Sequence, residues 1–158
     1  MKGLALYAGR TRAALAFLPL FLVSTGSMRA EPAAGPEREI RAVLKAQAAA
    51  WNRGEIDGYM NGYARGQATS FVSGDTLTRG WKTVRDRYAR KYDNRAKMGT
   101  LSFTEVQITA LGREAALVVG RWKLIRKSDK PHGRFTLLFR REREGWRIVH
   151  DHTSSAKP

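Results

Sequence analysis

The sequence predicts a mixed α+β domain in which amphipathic helices come first and a long antiparallel meander follows. Three observations carry this. Apolar residues recur at helical spacing between positions 36 and 63 and again between 81 and 92. From Thr100 the apolar period changes to two and holds through four successive segments separated by polar turns. The last of these segments ends in the triplet His150-Asp151-His152, which puts ionisable side chains on a sheet.

The first 30 residues read as a leader rather than as part of this fold. Lys2, Arg10 and Arg12 precede a wholly apolar stretch at 13–23, and small polar residues follow at 24–27. That order describes a secretory signal peptide, cleaved after Gly26 or Ala30, and places the mature chain in the periplasm or outside the cell. A buried helix or a retained anchor are the other readings of this stretch. Eleven helical residues rise only about 16 Å, roughly half a bilayer core, so no stable membrane anchor is expected after cleavage. Residues 31–36 are a flexible lead-in, 37–155 the folded domain and 156–158 a tail.

Within the domain, Pro36 suits the first turn of a helix, with Glu37 and Glu39 complementing its dipole. Ile40, Val43, Leu44, Ala48 and Trp51 share one face, and Gly54 is the expected left-handed stop. Ile56, Tyr59, Met60 and Tyr63 form a second short face, weakened by Gly58 and Gly62. Residues 68–73 and 76–78 read as a hairpin turned at Gly74-Asp75. Trp81, Val84, Tyr88 and Tyr92 mark a third, strongly basic helix. In the first long strand the phase of Leu101, Phe103, Val106 and Ile108 slips between Phe103 and Val106, as at a bulge. Residues 115–127, 134–141 and 146–154 complete the meander.

No cysteine is present, which removes disulfides, thiolate metal sites and cysteine nucleophiles. Four of the 29 cations fall in the leader, leaving 25 against 14 acids, a net charge of about +11. Such an excess ordinarily points to nucleic acid or an anionic surface. Here the cations are scattered, and the densest stretch, 82–97, is interrupted by Asp86 and Asp93. It reads as a solvated helix face, and nucleic acid is not an expected partner.

The words AAWNRGEIDGYMNGYA (49–64), TSFVSG (69–74), TRGW (78–81), GRW (120–122) and GWRIVHDHTS (145–154) together resemble the nuclear transport factor 2-like superfamily. Within it they look most like SnoaL-like domains of unknown function. They are also similar to the association domain of calcium/calmodulin-dependent protein kinase II, which shares the ending W-x-x-V-H-x-H-x-S. The resemblance spans roughly 37–155. It implies a cone-shaped curved antiparallel sheet capped by three N-terminal helices. It leaves activity open, because this cone serves isomerases, cyclases, dehydratases, assembly hubs and binders.

In steroid-isomerase-like members an aspartate base sits on the strand matching TSFVSG, where this chain has Phe71, Val72 and Ser73. The association-domain resemblance carries a pocket arginine onto Arg121, while two further pocket arginines fall at Leu137 and Thr153. Arg121 is thus either a ligand anchor or half of a structural ion pair with an acid such as Asp151. On the last strand, alternation sets Trp146, Ile148, His150 and His152 on one side and Arg147, Val149, Asp151 and Thr153 on the other. An H-x-H pair can chelate a metal but needs a third ligand, and no motif supplies one. Local hydrogen bonds or a subunit interface are the alternatives for His150 and His152. Trp51, Tyr63 and Tyr88 are core or pocket wall.

These readings give an exported domain that binds a small molecule under its helices, an anion if Arg121 faces it. Tyr59 and Asp151 orient the ligand and Trp51 forms a wall. The alternatives are a proton-transfer enzyme using Asp151, His150 or His152, and a ligand-free assembly module. A homodimer through the sheet is expected, and no metal or cofactor. A single bulge in the last strand would exchange the roles of Asp151 and the two histidines.

Overall fold

The computed structural model describes residues 35–156. The expected leader, its expected cleavage site and most of the expected lead-in lie outside the described residues, as do the last two residues of the chain. Helix α1 (Pro36–Arg53) opens with Pro36 in its first turn and ends at Gly54, whose φ of 88° is left-handed. Its buried stripe is Ile40, Leu44, Gln47, Ala50 and Trp51, in register with the predicted face. Asn52, at its end, is bound to the first long strand by two hydrogen bonds. Its amide donates to the Leu101 carbonyl and its carbonyl accepts from the Leu101 N–H.

Helix α2 (Ile56–Met60) is shorter than the spacing predicts. The chain leaves helical geometry after Met60, and Tyr63 forms a bridge with Ile148. The hairpin of β1 (Ser70–Ser73) and β2 (Thr76–Arg79) follows, then α3 (Trp81–Lys91) and a short helix α4 (Arg95–Met98). Three helices were expected; the fourth is set by Asn94, whose side chain accepts from the Lys97 N–H. The meander is β3 (Thr100–Ala110), β4 (Ala115–Ile125), β5 (His132–Glu142) and β6 (Gly145–Thr153).

The six strands form one curved, unclosed sheet in the order β2-β1-β6-β5-β4-β3. All neighbours are antiparallel except β1 and β6, which run parallel, with Phe71 opposite Asp151. Two bulges bend the sheet. One lies between Thr104 and Gln107, overlapping the slip predicted between Phe103 and Val106, with Glu105 at a φ of 52°. The other leaves Val149 unpaired, since Phe139 faces Ile148 while Leu138 faces His150. Helices and sheet enclose a core that includes Ile40, Leu44, Met60, Val84, Val118, Phe139, Trp146 and Ile148.

Candidate functional site: an aromatic cavity over Asp151

The inner faces of β4, β5 and β6 carry Val118 and Leu124, Phe135 and Leu137, and Ile148 and Asp151. Gly120 lies in the same inward row because Phe135 crosses it; a Cβ there would collide with the Phe135 ring. The helices contribute Trp51, Tyr59 and Tyr88, and the residues just beyond α2 and α3 add Tyr63 and Tyr92. Trp51 meets its neighbours edge-on, centred 5.1 Å from Tyr59 and 4.7 Å from Tyr92, while Tyr88 and Tyr92 stack at 5.9 Å. Trp51 is fixed by its indole N–H, which donates to the Met98 carbonyl at 3.1 Å. Between these layers lies a cavity of about 90 Å³. Arg87 and Lys91 of α3 are part of its lining.

Asp151 is 3% exposed and is the one carboxylate among the residues lining this cavity. Its Oδ2 accepts from the Tyr63 hydroxyl at 2.7 Å and its Oδ1 from the Thr153 hydroxyl at 2.6 Å. Burial pushes its carboxyl up to about 6, against the opposing effect of the Thr153 and Tyr63 donors. Tyr59, Tyr63 and Tyr88 are shifted upward, first by burial and in each case also by the charge of Asp151 or a neighbouring tyrosine. At neutral pH these phenols remain donors, while Asp151 is ionised and close to its midpoint. Such a cavity contains hydroxyl donors and one base, the equipment for orienting a ligand or moving a proton.

Of the sequence-derived candidates, Asp151, Tyr59 and Trp51 line the cavity, as do Tyr63 and Tyr88. Arg121 does not. It is flanked in sequence by the inward residues Gly120 and Trp122, so alternation turns it to the outer face of the sheet. There its guanidinium meets Glu105 at 3.3 Å, beside Arg134, which meets the same carboxylate at 2.7 Å. The bulge that puts Glu105 in left-handed geometry supplies this partner, so Arg121 has a salt bridge, and it is not with Asp151. Leu137 and Thr153, by contrast, do line the cavity.

His150 and His152 also lie on the outer face, paired with Leu138 and Thr136, and not beside Trp146 and Ile148 as unbroken alternation required. The unpaired Val149 reverses the phase, so Trp146, Ile148, Asp151 and Thr153 face inward. His150 Nδ1 lies 2.8 Å from the Ser70 hydroxyl. Neither histidine is available to a proton transfer in the cavity. Among the described residues no group of three or more His, Asp or Glu is placed to hold a metal ion.

Sequence reasoning missed Arg87, Lys91 and the role of Thr153. The first two were absorbed into a solvated helix face. Their spacing from Val84, three and seven residues on, was the signal that they flank its buried side. Thr153 shares the parity of Asp151.

The chain matches the SnoaL-like domain over residues 40–158. It belongs to that family. Its fold is shared by an NTF-2-like protein of unknown function from Shewanella oneidensis. The two are 39% identical, with a TM-score of 0.73, over 75% of this chain and 98% of that one. A putative calcium/calmodulin-dependent protein kinase II association domain from Xanthomonas campestris aligns with a TM-score of 0.63 at 17% identity, over 80% of this chain and 92% of that chain. A ketosteroid isomerase-like protein from Erwinia carotovora aligns at 0.61 and 16% identity, over 76% and 95%. The latter two share the fold alone. No curated protein matches the chain.

Proposed function

We propose that this SnoaL-like domain binds a small molecule in the aromatic cavity, with Asp151 as the group that orients it. The observation that carries this reading is a carboxylate 3% exposed, pushed by burial up to about 6, in the lining of a cavity of about 90 Å³. A buried acid without a cationic partner costs stability, and the Tyr63 and Thr153 donors leave further acceptor sites on Asp151 for a ligand. Tyr59 and Tyr63 hold hydroxyls near it, and Trp51 walls it. The cavity is smaller than the few hundred Å³ usual for drug-sized ligands, which limits what enters to a small molecule or one end of a larger one.

The test is the titration of Asp151, followed by carboxyl-carbon NMR with and without a library of small acids and alcohols. A midpoint near 6 that a ligand displaces supports the reading. A midpoint near 4, unmoved by every compound, overturns it.

The second reading is proton transfer on the bound molecule, favoured by the same pKa, because a base near its midpoint at neutral pH can take and return a proton. Turnover abolished by Asp151→Asn, with a rate that rises through pH 6, distinguishes it from binding alone. The proposal also takes the chain to be exported after removal of its leader, which intact mass measurement on the periplasmic fraction checks. It takes the chain to be a homodimer joined by the outer face of the sheet, where Val119 is 36% exposed, which sedimentation checks.

A further inference from the structure

The positive charge of this chain is not spread evenly over its surface. The end of α3 and helix α4 carry Arg90, Lys91, Arg95 and Lys97. The end of β4 and the turn into β5 carry Lys123, Arg126, Lys127 and Lys130. These two segments, distant in sequence, are joined in the fold. Gly99, which ends α4 at a φ of 63°, lies so close to β4 that a Cβ there would collide with the Ile125 carbonyl. The Tyr92 ring lies between the segments, with the Lys91 ammonium 5.4 Å and the Arg126 guanidinium 6.0 Å from its centroid. Eight cations and two acids, Asp93 and Asp129, therefore share one end of the molecule, which holds more than half of the domain's net charge of about +11.

Both acids are already engaged. Asp93 meets Lys97 at 2.7 Å, and Asp129 meets Arg126 at 3.4 Å. Arg95 is held by protein, donating to the Trp51 and Gly99 carbonyls. Among the described residues no carboxylate lies within ion-pairing distance of Arg90, Lys91, Lys123, Lys127 or Lys130. All five are exposed, and all but Lys91 lie outside the cavity lining. Like charges gathered this way repel one another, and an anionic surface relieves that repulsion.

An apolar neighbour distinguishes between anionic partners. Ile125 is 47% exposed and falls between Lys123 and Lys127 in the chain. Single-stranded nucleic acid is held by exposed aromatic rings on which bases stack. This patch presents none, since Tyr92 is partly buried beneath its two cations. An aliphatic side chain flanked by lysines suits a bilayer instead, where ammonium groups meet phosphates and the side chain reaches the acyl boundary. Among the described residues no helix is long and apolar enough to cross a membrane, so such a contact is with the surface.

We propose that this end of the molecule docks reversibly on an anionic phospholipid surface. Lys123, Lys127 and Lys130 meet lipid phosphates, with Arg90 and Lys91 beside them, and Ile125 enters the boundary between headgroups and acyl chains.

The test is sedimentation of the leaderless chain with vesicles of mixed phosphatidylglycerol and phosphatidylcholine, and with vesicles of phosphatidylcholine alone. Partition onto the mixed vesicles should be at least about tenfold stronger, and added salt should remove most of it. Lys123→Gln with Lys127→Gln and Lys130→Gln should weaken it on the order of hundredfold, at about fivefold per lysine. Arg38→Gln with Arg113→Gln and Arg140→Gln removes the same charge from exposed positions at the opposite end, where Ala115 pairs with Arg140 and Glu39 meets Arg141. That variant should lose less than about tenfold. Ile125→Ser should weaken the binding that survives added salt. Equal losses in the two triple variants would reduce the effect to net charge and overturn the patch. Equal binding to both kinds of vesicle, or tighter binding of double-stranded DNA than of mixed vesicles, overturns the lipid assignment. The titration of Asp151 tests the cavity separately, so either reading can fail alone.

Discussion

Asp151 and its neighbours His150 and His152 are adjacent in sequence yet occupy opposite environments. The aspartate is 3% exposed beneath a tyrosine-lined cavity, while the histidines lie on the outer face opposite Leu138 and Thr136. The same division separates Val118 from Arg121 on β4, where the inner residue is fully buried and the outer one meets Glu105. Chemical type does not decide which side a residue serves, since an acid faces the core here and Val119 faces outward. Strand phase decides, and one bulged residue, Val149, sets it for the whole end of β6. The inner face holds the core and the cavity; the outer face holds exposed charge pairs that add little to stability.

That contrast can be broken or sharpened by substitution. The largest effect is expected inside: Phe139→Ala, at a fully buried position, should lower stability by about 3–5 kcal/mol, read as a fall in the urea midpoint. Asp151→Asn should act in the opposite direction. The folded carboxyl titrates at about 6 and an exposed aspartate at 3.8, so the unfolded chain loses this proton first as pH rises. The group's contribution to stability is therefore highest below about pH 4, declines to about pH 6 and stays low above it. At pH 8 the variant should exceed the parent by something on the order of 3 kcal/mol, and at pH 3.5 the two should converge. Urea melts at both pH values check the sign; equal curves at pH 8 would mean that Asp151 is not desolvated.

A smaller loss, about 1–3 kcal/mol, is expected for Gly120→Ala, because the added methyl meets the Phe135 ring. Repacking of Phe135 should appear as a changed near-ultraviolet dichroism spectrum. Least is expected of Arg121→Ala. Its exposed pair with Glu105 contributes below about 1 kcal/mol, and ligand binding should be unchanged. Loss of ligand binding in this variant would return Arg121 to the site and reverse the assignment of faces.

The order of elements was legible because each local signal agreed with the fold. Pro36 and Gly54 bracket α1, its apolar stripe has one period, and the slip after Phe103 marks the β3 bulge. Tyr59 and Trp51 were legible as cavity residues because they sit on the apolar faces of their helices, whereas Asp151 was legible only as an acid on the last strand, its facing left open. Arg121 was misplaced because alternation groups residues without saying which group faces in. On β4 both groups carry apolar residues, Leu117 and Val119 on one and Val118 and Leu124 on the other. The bulge at Val149 left no trace in residue type, since Val-His-Asp-His continues a regular pattern. Arg87 and Lys91 were hidden among the cations of α3, where only three-dimensional neighbours separate a cavity-lining charge from a solvated one.

The place of β6 in the sheet has a consequence for how this protein can be made. The strand nearest the C-terminus lies between β1 and β5, with β1 held to it in parallel. Until Gly145–Thr153 has been synthesised, the growing polypeptide leaves β1 and β5 with unsatisfied edges and has no acid to place beneath its tyrosines. Premature termination or proteolytic trimming before Gly145 would therefore yield sticky, aggregation-prone fragments, not a weakened version of the whole.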